Sequence, residues 1–88
     1  MAANLTPDLD LGPTGPVLTR WESATRYYAV TLQRDLLGDW VLTIARGGKA
    51  NRLGVVLHKA VASRDAGVLE LEVIDRRRRR RGYLRVLR

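Results

Sequence analysis

Residues 38–54 read GDWVLTIARGGKANRLG, and this stretch decides the fold. In its first half, large apolar residues alternate with smaller or polar ones, at Trp40, Leu42 and Ile44. That is the period of a strand with one buried face. A basic segment follows at residues 46–52, where Gly47 and Gly48 can adopt backbone angles that side chains forbid. We therefore predict a strand, a glycine-rich basic turn over residues 46–52, and a second strand.

Further strands are predicted on both sides of this stretch. The alternating runs that indicate them cover residues 18–22, 26–33, 53–62 and 83–87. Residues 1–17 hold all 3 prolines of the chain, and we expect them to form a flexible leader. One domain would then span residues 18–88, which is short for a deep enclosed active site.

Three expectations concern packing. Leu36 and Leu37 lie in the connection before the central strand, and we expect them to tuck under the sheet. Tyr28 and Trp40 are expected in the core, because so short a chain has few other large side chains to fill one. Gly54, inside a predicted strand, indicates either a bulge or a close approach of two backbones.

Residues 63–81 carry opposing signals for secondary structure. Ser63 is a good helix N-cap, Asp65 suits the helix dipole in the first turn, and Gly82 stands where a glycine C-cap belongs. Against a helix, Gly67 is unfavourable in a helix interior, and apolar residues alternate with glutamates at Leu69, Leu71 and Val73. The two caps and the length favour a helix. We predict an α+β fold, an antiparallel sheet of about five strands with one helix packed on one face.

The positive charge of the chain is concentrated in one segment. The chain has 16 Lys+Arg and 9 Asp+Glu, for a net charge of +7 at pH 7, and residues 76–81 are six consecutive arginines. Without those six, 10 basic residues stand against 9 acidic ones. A cationic cluster on an otherwise balanced domain indicates an anionic partner, which can be nucleic acid, a membrane surface or an acidic protein.

Composition argues against several classes of function. The chain has no cysteine and 1 histidine, which excludes disulfide frameworks, thiolate sites and histidine metal clusters. No apolar run approaches the ~18 residues of a spanning helix, so we expect a cytoplasmic protein without a membrane partner. Gly48-Lys49 lacks the flanking residues of a phosphate-binding loop, and His58 has no evident nucleophile beside it. We predict no enzymatic activity, no metal and no cofactor.

The candidate site consists of the glycine-rich turn and the arginine-rich helix end. Its predicted residues are Arg46, Gly47, Gly48, Lys49, Arg52, Arg76, Arg77, Arg78, Arg79, Arg80 and Arg81. Arginine favours bidentate contacts with phosphate, and glycine N–H groups add neutral donors. We expect a nucleic-acid-binding monomer that prefers DNA to RNA and reads little sequence. The alternative is an accessory module whose arginines dock an acidic protein.

Four segments together resemble the WGR domain family. They are RYYAVTL at residues 26–32, GDW at 38–40, NRLG at 51–54 and RRRRRRGY at 76–83. WGR domains occur alone in short bacterial proteins and within DNA-damage-activated poly(ADP-ribose) polymerases. The resemblance implies a sheet of about five strands with one helix, and nucleic-acid binding. Where the family has Trp-Gly-Arg, this chain has Arg46-Gly47-Gly48-Lys49, so the resemblance implies charge-based backbone binding more than recognition of strand ends.

Overall fold

The computed structural model describes residues 14–51 and 53–87, with the side chain of Leu87 left out. Five strands form one antiparallel sheet in the order β4-β3-β2-β1-β5, and one helix packs against it. The elements are β1 (Val17–Glu22), β2 (Arg26–Arg34), β3 (Trp40–Gly48), β4 (Gly54–Val61), α1 (Arg64–Arg80) and β5 (Leu84–Leu87). The predicted α+β fold is confirmed. Most of the predicted leader, residues 1–13, lies outside the described residues.

The strand register places the large apolar side chains on the face that the helix covers. Trp21 lies opposite Tyr28, and Leu32 lies opposite Leu42. Because alternate residues of a strand point to the same face, Val30 joins this set. The core residues are Val17, Trp21, Val30, Leu32, Leu42, Leu71 and Tyr83, and Trp21, Val30 and Leu32 are fully buried. Tyr28 and Trp40 pack against this cluster and are half-buried.

The helix begins and ends where its caps predict. The Ser63 side chain accepts a hydrogen bond from the Ala66 N–H at 3.0 Å, and Gly82 follows the helix with a φ of 86°. That positive φ is the left-handed conformation of a glycine C-cap. Gly67 is buried, and a Cβ atom there would lie 2.5 Å from Leu32 Cδ1. The residue that argued against a helix is thus the point where the helix touches the sheet.

The predicted basic turn over residues 46–52 is wrong in its boundaries. Strand β3 continues to Gly48 and pairs with β4 without a break, so Gly47 lies opposite Gly54 and there is no bulge. Neither Gly47 nor Gly48 has a positive φ. Asn51 shapes the turn instead, because its Oδ1 accepts the Leu53 N–H at 2.9 Å.

Leu36 and Leu37 do not tuck under the sheet. Their exposures are 104% and 87%, among the highest of the large apolar residues that the structure describes. The loop between β2 and β3 is closed by its own polar groups, since Asp35 Oδ1 accepts from the Leu37 and Asp39 N–H groups, each at 2.9 Å. Gly38 takes a φ of 87° at the tip. This local network holds both leucines in solvent.

No helix within the described residues is long and apolar enough to span a membrane. Nor do those residues bring together three side chains of the kinds that commonly bind metal ions. His58 lies on the face of the sheet opposite the helix, where its Nδ1 is 3.1 Å from Thr43 Oγ1. The structure thus gives His58 a neighbour on β3 that is polar and exposed.

Candidate functional site

An open groove of about 1160 Å³ lies where the end of the sheet meets the C-terminal end of α1. The start of β2, the end of β3 and the start of β4 form one wall, and the last helical turn with Tyr83 forms the other. The described residues that line it are Thr25, Arg26, Tyr27, Tyr28, Arg46, Gly47, Gly48, Ala50, Asn51, Leu53, Gly54, Val55, Arg78, Arg81 and Tyr83. We call this cavity the arginine groove.

The helix C-terminus folds the chain back and places Tyr83 under the last turn. The Tyr83 N–H donates to the Arg78 carbonyl at 2.9 Å, and the Gly82 N–H donates to the Arg79 carbonyl at 3.1 Å. Gly82 permits this reversal because its φ of 86° is disfavoured for residues with a side chain. Tyr83 is therefore buried against the sheet, directly beside the arginine-rich turn.

Arg78 is held between two aromatic rings at the floor of the arginine groove. Its guanidinium carbon lies 4.4 Å from the Tyr28 ring centre and 5.1 Å from that of Tyr83. Trp21 meets the Tyr28 ring edge-on, at 6.0 Å between centres, which fixes that ring from below. Such cation–π contacts are worth up to about 2 kcal/mol when partly desolvated. They orient the guanidinium without neutralising its charge.

The Nε atom of Arg78 is buried and has no hydrogen-bond partner among the described residues. A buried donor left unpaired costs about 1–3 kcal/mol, comparable to the stabilisation from the two rings. The arrangement is therefore a poor one for stability alone. An anionic oxygen entering the groove is the kind of group that a guanidinium donor binds.

Among the described residues, the charged side chains that line the groove are all positive. Its described lining contains the four arginines Arg26, Arg46, Arg78 and Arg81 and no aspartate or glutamate. None of these four forms an ion pair with a carboxylate of a described residue. Clustered cations repel one another, and an unpaired cluster in a concave surface raises the local concentration of anions.

Lys49, by contrast, is paired away from the groove. Its ammonium lies 2.9 Å from Glu22 Oε1, and Arg20 binds the other oxygen of the same carboxylate at 2.8 Å. The hydrogen bond from Lys49, followed by that from Arg20, lowers the pKa of the Glu22 carboxyl. The Lys49 N–H also donates to the Thr25 carbonyl at 2.8 Å. Lys49 therefore ties the end of β3 to β1 and the β1–β2 turn and does not line the groove.

Asp75 neutralises part of the arginine cluster on the other side of the helix. Its oxygens bind Trp21 Nε1 at 2.8 Å and Arg79 Nε at 2.9 Å, with Arg85 3.7 Å away. Burial raises the pKa of Asp75, but the hydrogen bonds from Trp21 and Arg79 outweigh burial and leave that pKa below its ordinary value. Asp75 thus links the helix to β1 and β5, while Arg79 pairs with Asp75 within the helix.

The glycines of the groove allow a close approach of neighbouring groups. A Cβ atom on Gly47 would lie 2.8 Å from the Leu53 carbonyl oxygen, and one on Gly54 would lie 3.2 Å from both the Arg46 carbonyl oxygen and Tyr27 Oη. Tyr27 on β2 therefore packs beside Gly47 on β3 and Gly54 on β4, at the end of the sheet that borders the groove. Of the two alternatives for Gly54, close approach is correct.

The structure brings together some of the predicted site residues and separates others. Arg46, Gly47, Gly48, Arg78 and Arg81 line the groove. Arg76 borders a second, smaller cavity of about 450 Å³ between α1 and β1. Arg77 and Arg80 are exposed on the helix outside both cavities, and Arg52 lies outside the described residues. The six arginines thus serve different surfaces, as their helical spacing requires.

The sequence alone did not identify Arg26 or the three tyrosines as residues of the arginine groove. Arg26 begins β2 directly opposite Gly48, so the strand pairing carries it to the groove. All 3 tyrosines of the chain line the groove. The alternation in RYY places Tyr27 and Tyr28 on opposite faces, but nothing local indicates that the helix end returns to Tyr28.

The chain was compared with protein-family models, with curated proteins and with solved structures, and none of these comparisons finds a match. What the groove can bind is therefore decided by its own residues. These are four arginines, glycine backbone and three tyrosines around an open concave surface.

Proposed function

We propose that the chain is a small non-enzymatic nucleic-acid-binding module that holds the phosphate backbone in the arginine groove. The observation that carries the proposal is the set of four arginines on one concave surface that have no carboxylate partner within residues 14–51 and 53–87. Phosphate is an anion that guanidinium forks bind well, because two N–H groups can meet two oxygens at once. The groove is also open, which suits a polymer that must enter and leave along its length.

The tyrosine rings favour backbone contacts over base stacking. Arg78 lies over Tyr28 and Tyr83, and Arg20 lies over Tyr27 at 4.7 Å from its ring centre. Each ring thus already has a guanidinium on one face. Phosphate contacts position a nucleic acid but do not read its sequence. The proposed module therefore binds a nucleic-acid backbone with little sequence preference, and we propose DNA before RNA as its partner.

We also propose that the module is WGR-like. Its residue order resembles that family, and the position of the family's motif tryptophan is taken by Arg46, a groove residue. An arginine offers a flat cation there in place of an apolar indole. This supports attachment along a phosphate backbone more than a grip on a terminal nucleotide.

The salt dependence of duplex binding tests the proposal. If four arginines each meet a phosphate, the logarithm of the binding constant falls against the logarithm of salt concentration with a slope of roughly −3.6. Arg81→Gln should reduce the steepness to roughly −2.7, whereas Arg80→Gln removes the same charge from outside the groove and should change the slope little. Fluorescence anisotropy of a labelled duplex measures both. Equal effects of the two substitutions, or binding that ignores salt, would contradict the proposal.

Docking of a protein is the second candidate function, supported by the exposed pair Leu36 and Leu37. The sheet ends at this loop, opposite the arginine groove, because β2 and β3 run the full length between them. Contiguous exposed apolar side chains on a rigid loop are typical of protein contacts. This candidate would be preferred if the anisotropy of neither duplex nor single-stranded DNA changed at low salt.

A further inference from the structure

Strand β4 is an edge strand with few of the usual protections, since Lys59 is its single charged residue. It lies at one end of the sheet order, and among the described residues only β3 pairs with it. Its eight residues, GVVLHKAV, contain no proline, and its register with β3 is unbroken. Native edge strands are commonly protected by prolines, bulges, short length or charges. An unprotected edge presents a row of backbone donors and acceptors to another strand.

The single charged residue of β4 forms an ion pair with the helix. The Lys59 ammonium lies 2.6 Å from Glu70 Oε1 on α1. A lysine on an edge strand normally repels an approaching strand or remains hydrated. Here that charge is drawn toward the helix. The other side chains of the strand are apolar or uncharged, and Val55, Val56 and Leu57 are 45%, 59% and 47% exposed.

The two ends of β4 differ in charge. At the Gly54 end, β4 lies beside Arg46 and the arginine groove. At the Val61 end, it lies beside Trp40. The charged residues that adjoin this end in sequence, or through the ion pair of Lys59, are four acidic ones (Asp35, Asp39, Asp65 and Glu70) and three basic ones (Arg34, Lys59 and Arg64). A second copy aligned antiparallel to the first brings the basic end of each against the acidic end of the other. Parallel alignment would bring two basic grooves together, which like-charge repulsion disfavours.

We propose that this chain forms a two-fold symmetric dimer in which the β4 strands of two copies pair antiparallel and join two sheets into one. Such an interface is isologous, so each strand meets its own sequence. Leu57 of each copy then lies near its counterpart on the helix-covered face, while Val56 lies near the joint on the other face. The proposed dimer differs from the monomer expected from sequence. Gly54 and Val55 of β4 also line the arginine groove, but Val56 and Leu57 do not, so a substitution at Val56 tests the dimer separately from the proposed function.

One strand pair with flanking apolar contacts is a small interface, at the low end of the range for specific complexes. We therefore expect a dimer with a dissociation constant on the order of micromolar, which forms fully at ~100 µM protein. Sedimentation velocity should give twice the 9.9 kDa of the chain at that concentration, and a smaller weight-average mass on dilution.

A matched pair of substitutions locates the interface. Val56→Lys puts a charge on the exposed face of β4, and Val86→Lys makes the same change on β5, the opposite edge, at a residue that is 53% exposed. Val56→Lys should leave a monomer at ~100 µM, because two lysines would meet across a short joint. Val86→Lys should remain a dimer. Circular dichroism and the thermal unfolding midpoint verify that both variants fold.

Hydrogen exchange gives a second measurement that needs no substitution. The outward backbone N–H groups of β4 should exchange more slowly at ~100 µM than at ~1 µM protein, while those of β5 should not depend on concentration. The proposal would be overturned if the wild-type chain were a monomer at the higher concentration. It would also be overturned if the amide exchange rates in β4 did not depend on protein concentration. Dissociation by Val86→Lys would overturn it as well, and would indicate a head-to-tail joint between β4 and β5.

Discussion

Arg78 differs from its arginine neighbours in what surrounds it. Two tyrosine rings hold its guanidinium, and its Nε is buried without a partner among the described residues. Arg79, one residue later, is bound to Asp75 instead. The two point away from each other because successive residues of a helix are rotated by about 100°. One cationic run thus supplies both an ion-pair partner for Asp75 and a guanidinium held by two aromatic rings.

Asp75 is the residue through which acidity should act on stability. Its pKa is below the ordinary value of 3.8, chiefly because the hydrogen bonds from Trp21 and Arg79 outweigh burial, so its carboxylate stabilises the fold above pH 3.8. That contribution is lost as the pH falls below 3.8 through the lowered pKa. Asp75→Asn should lower the free energy of unfolding by about 1–2 kcal/mol at pH 7 and reduce the acid-induced loss.

Urea unfolding between pH 2 and 7 measures this effect in both proteins. The difference between wild type and Asp75→Asn should narrow toward the acidic end of that range. A constant difference at every pH would mean that Asp75 acts through packing and not through its charge. Glu22, whose pKa is also lowered, keeps part of the acid dependence in the variant.

At the residue level, the sequence predicted the caps correctly and the groove only in part. Ser63 and Gly82 were predictable because each cap depends on a few adjacent residues. Arg26 and Tyr83 were not recognised as groove residues. Both reach the groove only through pairings between segments far apart in the chain, which local patterns do not encode.

Among the elements, α1 owes its position to a glycine. Gly67 faces Leu32, which is fully buried, and a Cβ atom would approach Leu32 Cδ1 and Cδ2 to 2.5 Å and 2.9 Å. Alanine would gain up to about 1 kcal/mol of helix propensity but would force the helix away from the sheet. Because Leu32 is fully buried and the clash involves two of its methyl groups, we expect the clash to exceed the gain.

Gly67→Ala should therefore lower the free energy of unfolding by about 1–2 kcal/mol, as measured by urea denaturation. The double variant with Leu32→Val provides the control, because valine removes a methylene group at the point of contact. We expect the two substitutions together to cost less than the sum of their separate costs. Additive losses would show that the close contact of Gly67 with Leu32 does not determine the effect.

The elements were easier to predict than their ends. Strand β3 was found by alternation, but its end was set too early because Gly47 and Gly48 were interpreted as a turn. In the fold these glycines continue the strand, since small residues are needed where two backbones and Tyr27 approach closely. Similarly, Leu36 and Leu37 were expected under the sheet because they are apolar, whereas the hydrogen bonds of Asp35 direct the loop outward.

On the scale of the whole molecule, the fold separates charge along the strands. The arginine groove lies at one end of β2 and β3, and the aspartates and exposed leucines of their connecting loop lie at the other. This polarity arises from the strand order, which places the end of β3 beside the last turn of α1. No local sequence pattern indicates that two cationic segments about thirty residues apart come into proximity in the fold. The sequence predicted that they would share a surface, and the structure brings Arg46 and Arg81 into one groove.

The most direct test of the central claim is an NMR titration of the ¹⁵N-labelled chain with a short DNA duplex, observing both backbone amides and arginine Nε–H groups. We predict that the Arg78 Nε–H signal shifts together with the amides of Arg46, Gly47, Gly48 and Arg81. The signals of Arg76, Arg80 and the Leu36–Leu37 loop should move little and serve as internal controls. Shifts spread evenly over all arginines, or an unmoved Arg78 Nε–H at saturating duplex, would contradict the assignment of the groove as the phosphate-binding site.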